Sequence, residues 1–122
     1  MPIVDVELVA GPDGVVASRL AQSLADAVGR ALGSPVGQTW VRLHILAREH
    51  YAENESSIET AELPVFVTVL KSTLPAASQM ATEVSALTGA IAEVLGRKSS
   101  CVHVEYAPAA RGRLSFGGKL VQ

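Results

Sequence analysis

The sequence has one cysteine, few aromatics and no excess of either charge in its 122 residues. A lone Cys101 excludes an internal disulfide framework and any multi-cysteine zinc site, and reads as a small buried apolar residue. Ten Lys and Arg stand against 12 Asp and Glu, a net charge of −2, with no cluster of positives. Nucleic-acid binding needs a concentrated basic face, so no nucleic-acid partner is expected. No apolar run approaches the roughly 18 residues that a membrane-spanning helix needs, so no membrane partner is expected either. The first residues, Met1-Pro2-Ile3-Val4-Asp5, lack a basic region followed by an apolar stretch. No signal peptide is visible there, and a cytoplasmic location is the expectation.

What is present is an abundance of small aliphatics: 48% of the residues are apolar and 18% charged. That composition is too apolar for disorder, and a chain of this length buries roughly two-thirds of its unfolded surface. Ala, Val and Leu pack helices closely onto a sheet. A surplus of apolar strand surface points to burial between subunits.

The chain repeats itself. Pro2-Ile3-Val4-Asp5-Val6-Glu7-Leu8-Val9 is a short β-branched run, and Pro64-Val65-Phe66-Val67-Thr68-Val69-Leu70-Lys71 is another, also headed by proline and 62 positions later. A helical pattern follows each, Val16, Leu20, Leu24, Val28 and Leu32 in the first and Met80, Val84, Leu87, Ile91 and Val94 in the second. Both patterns end in Leu-Gly, at Leu32-Gly33 and Leu95-Gly96, with glycine suited to a helix C-terminus. A second strand follows in each half, Trp40 to Leu46 and Cys101 to Tyr106. The polar connector from Glu49 to Glu62 reads as a solvated loop or a short hairpin. Each half alone would be marginal, so the two are expected to share one sheet. The expected fold is therefore α/β (α+β): tandem βαβ units forming a four-stranded sheet with two helices on one face. It is a single domain over 1–122, with halves at about 1–50 and 63–122.

The strands alternate. Val4, Val6 and Leu8 oppose Ile3, Asp5 and Glu7; Val41, Leu43 and Ile45 oppose Trp40, Arg42 and His44; Val102, Val104 and Tyr106 oppose His103 and Glu105. One sheet face is thus apolar and the other mixed. A mixed face suits a subunit interface with sites in it, which predicts an oligomer.

Pro2 is the residue with the clearest chemical potential. Removal of Met1 would leave a secondary amine fixed by its own ring at the start of a strand. An α-amino group has an ordinary pKa near 8, lowered further by desolvation or a neighbouring cation, so it can act as a general base near neutral pH. The alternative is that Pro2 merely starts a strand.

The proline-headed strand, the duplicated βαβ unit, Arg42 on the second strand and the tail Arg111-Gly112-Arg113-Leu114-Ser115-Phe116-Gly117-Gly118-Lys119-Leu120 together resemble the tautomerase superfamily. The likeness is to a fused 4-oxalocrotonate tautomerase-like protein, two short βαβ subunits joined head to tail. The macrophage migration inhibitory factor (MIF)-like members and the malonate semialdehyde decarboxylases share that plan. The resemblance implies a homotrimer, no cofactor and no metal. It further implies a Pro2 amine that moves a proton alpha to a carbonyl on a small 2-oxo or 2-hydroxy unsaturated acid.

By the same resemblance, Arg42 would bind the substrate's carboxylate or carbonyl oxygen; an intersubunit salt bridge is the alternative. His103, taken as the point of the second half that corresponds to Arg42, would polarise a substrate oxygen, or else make an ordinary interface contact. Glu105 aligns near a polar site residue. Tyr51 would form an apolar wall that lowers the Pro2 pKa, with Phe116 serving similarly from the second half. The family's arginine after the first strand is missing from Val9-Ala10-Gly11-Pro12-Asp13 and from Thr73-Leu74-Pro75, so Lys71 and Arg48 are candidates to replace that charge. Pro64 is internal, an amide rather than an amine. Two rival functions remain open at this level: a decarboxylase or hydratase using protonated Pro2, and a non-catalytic trimeric binding protein.

Overall fold

Alternating β-branched runs form strands where one face can be buried and the ladder satisfies the backbone. The computed structural model, which describes residues 2–11, 18–59 and 62–122, has four main strands: β1 (Ile3–Ala10), β2 (Trp40–Ala47), β3 (Val65–Leu70) and β4 (Val102–Tyr106). They lie in one sheet in the order β2-β1-β3-β4. Two parallel pairs, β1 with β2 and β3 with β4, meet through the antiparallel pair β1 and β3. Helices α1 (Leu20–Ala31) and α2 (Ala77–Leu95) supply the crossovers. The expected fold is the observed one.

Leu24 and Val28 of α1 and Leu87, Ile91 and Ala92 of α2 are buried against Val4, Val6, Leu8, Val65, Val67, Val69 and Val102. Each fully buried Leu, Ile or Val contributes roughly 1.5–3 kcal/mol over its exposed state. Among the described residues no charged or polar residue is buried in that core. Both helices stop in the same way. Gly33 and Gly96 each have φ of 64°. Backbone N–H groups of Ser34 and Arg97 donate to Gly29 and Ala92 carbonyls five residues back, at 2.9 and 3.0 Å. That is the Schellman arrangement that a left-handed glycine permits. Val16, placed in the first helical pattern by its spacing, lies outside the described residues.

The repeat needs one correction. Leu24 and Leu87, Val28 and Ile91, and Gly33 and Gly96 occupy matching places 63 positions apart, and the core strand residues Val4 and Val67 or Val41 and Val104 match likewise. The offset of 62 taken from the two prolines is out by one, and a one-residue slip moves every strand side chain to the other face. Glu105, not His103, is therefore the counterpart of Arg42, and His103 is the counterpart of Trp40.

Between the halves, a short 3-10 turn covers Arg48–His50. The described remainder of the connector holds no strand, so the loop reading applies there rather than the hairpin. Arg97 joins the halves from behind: its guanidinium donates to the Leu63 carbonyl at 2.7 Å and the Val9 carbonyl at 3.0 Å. Burial pushes its pKa down, and the two carbonyls stand in for the lost water. After β4 the tail forms a small hairpin, β5 (Ser115–Phe116) and β6 (Lys119–Leu120). Gly117 and Gly118 turn it with φ of 58° and 88°, a pair of positive values that glycine adopts without steric cost.

Candidate functional site

The face of the sheet away from the helices is built in rows set by the strand register. One row runs Trp40, Ile3, Leu70; the next runs Arg42, Asp5, Thr68, Glu105; the third runs His44, Glu7, Phe66, His103. Because β1 and β2 begin where β3 and β4 finish, the first row marks one end of the sheet, and Pro2 sits there.

Pro2 is held by its carbonyl, which accepts the Trp40 backbone N–H at 3.0 Å. The Trp40 indole N–H donates to the Gly37 carbonyl at 3.1 Å, which fixes the ring. Phe116 meets Trp40 edge-on, with centroids 5.1 Å apart and planes at 87°. The tail reaches this place by crossing the end of the sheet. Ala107, Ala110 and Arg111 donate backbone N–H groups to the Val69, Lys71 and Ser72 carbonyls at 2.9, 2.9 and 3.1 Å. A few residues later Phe116 is on Trp40. The start of β1 lies between those anchor points, so the tail straps the Pro2 end from the β3 side to the β2 side. Three of the exposed large apolar side chains, Val36, Trp40 and Leu120, belong to this end or its strap.

In the second row Arg42 grips Asp5 with two bonds, Nε to Oδ1 at 2.6 Å and Nη2 to Oδ2 at 2.8 Å. The guanidinium's hydrogen bond holds the Asp5 carboxyl below the usual carboxylate range, against the opposing effect of partial burial. His44 Nε2 stands 3.7 Å from the same carboxylate, beyond hydrogen-bonding distance. On the helix side, Lys71 donates from Nζ to Glu83 Oε1 at 3.0 Å, and the Tyr106 hydroxyl donates to Glu83 Oε2. Burial first, then the Glu83 carboxylate, pushes the Tyr106 pKa up, so this hydroxyl stays a donor.

At the other end of the sheet an aromatic line runs Tyr51, Phe66, His103, with centroids 5.8 and 5.6 Å apart. Tyr51 donates its hydroxyl to Glu53 at 2.7 Å, which raises its pKa. Phe66, Thr68, His103 and Glu105 line a shallow depression of about 240 Å³. A larger groove of about 670 Å³ runs between the helices on the opposite side and is lined mainly by small side chains such as Ser23, Ala27, Ala86 and Ala90. Among the described residues no group of three His, Cys, Asp or Glu is placed to hold a metal ion, and no helix is long and apolar enough to cross a membrane.

No protein-family model matches the sequence, and no curated protein matches it. Solved structures do. A symmetric trimer of a fused 4-OT is 18% identical with a TM-score of 0.73, covering 98% of this chain and 94% of that one. FG41 malonate semialdehyde decarboxylase is 17% identical with a TM-score of 0.70, covering 94% and 88%. The macrophage migration inhibitory factor of Trichinella spiralis is 16% identical with a TM-score of 0.71, covering 97% and 98%. The chain has the tautomerase-superfamily fold.

Within that tautomerase fold the residues expected to form one site fall into separate groups. Pro2 and Phe116 come together, with Trp40 between them. Trp40 was missing from the expected site. Its signal was legible: the sole tryptophan, first in its strand run. Arg42 is one row inward and engaged by Asp5. Glu105 shares Arg42's row but stands two strands from β1, at the far edge. His103 belongs to the third row and Tyr51 packs against that row at Phe66; along β1 the row lies about 16 Å from Pro2 at the usual strand rise. One chain does not bring them to the proline. Lys71 is paired on the helix side, and Arg48 donates to the Ile58 carbonyl near the connector.

Proposed function

We propose that this chain is a cofactor-free tautomerase or isomerase acting on a small 2-oxo or 2-hydroxy unsaturated acid, with the Pro2 amine as general base once Met1 is removed. The observation that carries the reading is the placement of Pro2. It heads an interior strand, is pinned by the Trp40 N–H, and lies beside the Trp40–Phe116 aromatic pair under the tail strap. Apolar surroundings disfavour the protonated amine and so keep the nitrogen basic near neutral pH. The amine would take the enol hydroxyl proton as the carbonyl forms. Its conjugate acid would then deliver a proton to the enol carbon, leaving the amine free again.

The mixed open face and the trimeric relatives support a homotrimer. In that assembly Tyr51, Phe66 and His103 of one copy would complete the Pro2 site of another. The similar decarboxylases keep a second reading in view. Water activation beside the amine would need a carboxylate there, and Glu105, the acidic residue among the expected site residues, is two strands away in its own chain.

The test pairs two measurements on protein shown by intact mass to lack Met1. Ketonisation of phenylenolpyruvate is expected, with Pro2→Ala slowing it by about 10²–10⁴-fold, the usual worth of a general base. The second probe is 2-oxo-3-pentynoate, which inactivates the structurally similar Pt0534. Its conjugated alkyne accepts an amine without a leaving group. One whole reagent mass is therefore expected on the N-terminal peptide. Processed protein that neither turns over nor takes the label would sink the isomerase reading in favour of a non-catalytic binding protein.

A further inference from the structure

The Pro2 end of the sheet needs a cation if it is to hold a carboxylate, and the obvious ones are already engaged. Arg42 is clamped on Asp5. Lys71 is on Glu83, Arg97 on two carbonyls, and Arg113 on the Pro108 and Ala109 carbonyls at 3.3 and 2.6 Å. Arg30 lines the groove between the helices. Arg19 and Lys98 lie next to the ends of α1 and α2 that are remote from Pro2. Two cations remain at the proline's end, Arg111 and Lys119, both in the strap.

Arg111 is the better placed. Its backbone N–H bonds the Ser72 carbonyl at 3.1 Å. The β1–β3 register pairs Ile3 with Leu70, so continuing it sets Lys71 across from Pro2 and Ser72 one residue beyond. Arg111 is thus anchored two strand spacings from the start of β1, about 10 Å by backbone. An extended arginine and a short 2-oxo acid together span that gap. The Arg111 side chain is exposed, and its guanidinium has no hydrogen-bond or ion-pair partner among the described residues.

We propose that Arg111 is a specificity-determining residue of the Pro2 site, binding the ligand's carboxylate from the β3 side while its apolar substituent faces Trp40 and Phe116 on the β2 side. This assignment rests on the proposed Pro2 site. A guanidinium fork suits a carboxylate because two parallel N–H···O bonds can form, each strengthened by charge. The strap then both covers the amine and selects acids over their neutral derivatives.

The experiment compares binding of phenylpyruvate with that of its methyl ester by calorimetry, in Met1-free protein and in its Pro2→Ala form. Arg111→Ala is expected to weaken the acid by about 10–100-fold, the worth of charge-assisted hydrogen bonds, and to leave the ester unchanged. Arg111→Lys should restore part of the difference, and Arg30→Ala, which removes the same charge from the helix side, should change nothing. In turnover of phenylenolpyruvate the Arg111→Ala effect belongs in KM rather than kcat. Wild-type binding of the acid by Arg111→Ala, equal weakening of acid and ester, or transfer of the selective loss to Lys119→Ala would each overturn the assignment. So would failure of the unmodified chain to bind the acid at all. Because Pro2→Ala protein still has Arg111, the two failures read differently: a dead base abolishes turnover and labelling but keeps the acid–ester difference, whereas a wrong carboxylate ligand leaves that difference intact in Arg111→Ala protein.

Discussion

Asp5 shows how a single residue changes meaning between sequence and structure. Along β1 it is a polar residue on the mixed face, while the register sets it opposite Arg42 and turns the pair into a two-bond clamp. The expected role of Arg42 as a free anion binder is narrowed accordingly, because two of its donors face Asp5. The pair also has a pH signature. Arg42 lowers the Asp5 pKa from its ordinary 3.8, so the folded state holds the proton less tightly than the unfolded chain. The stabilising contribution is complete above the ordinary carboxylate range and is lost as pH falls from there through the lowered folded value. The stability difference between the wild type and Asp5→Asn should therefore be present at pH 7 and shrink below about pH 4. It should also fall with added salt, since both partners reach solvent. Urea titrations at several pH values read it directly; a difference that persists unchanged at pH 2 would remove the clamp from the account.

At the scale of the element, the two helices obey the same rules in different sizes. Both carry a short apolar stripe, both end on a left-handed glycine, and both close with the same backbone bond. Glycine has opposite values at two positions in α2. Gly89 lies in the helix interior, exposed, and a Cβ built there meets nothing within 4 Å. Gly89→Ala should raise stability by roughly 0.5–1 kcal/mol, because the unfolded glycine has more freedom to lose. Gly96 has φ of 64°, so Gly96→Ala should lower stability by about 1–2 kcal/mol although the space around it is open. Unfolding midpoints at one protein concentration test the pair; equal effects of the two changes would contradict the backbone argument. The strands taught a different lesson. Their alternation was readable, but which residues faced which depended on register, and the sequence pattern pointed to His103 where the 63-residue offset makes Glu105 the counterpart of Arg42.

At the scale of the whole molecule, the four-stranded sheet has the two helices on one side and a mixed face on the other. That face exposes Trp40, Arg42, His44, His103 and Glu105 and holds Phe66, Thr68 and Leu70 partly open. Such a surface is too apolar for free solvent and too polar for a dry core. The proposed trimer gives it a destination and also closes the distance between Pro2 and the Tyr51–Phe66–His103 line. Sedimentation at micromolar concentration should return three times the 12.7 kDa chain mass. A persistent monomer would leave the aromatic line with no proline to serve.

The sequence by itself determined the duplication, the two amphipathic helices with their glycine ends, the alternating strands and the proline that opens the first of them. Those are local signals, written in periods of two and 3.6 residues and in the backbone freedom of glycine. Tertiary structure decided the rest. It chose the 63-residue offset, engaged Arg42 and Lys71 with carboxylates, moved Tyr51 to the end of the sheet away from Pro2, and laid the tail across the Pro2 end with Phe116 on Trp40. These outcomes depend on strand register and on contacts between residues far apart in the chain, and no local period encodes which distant partners will meet.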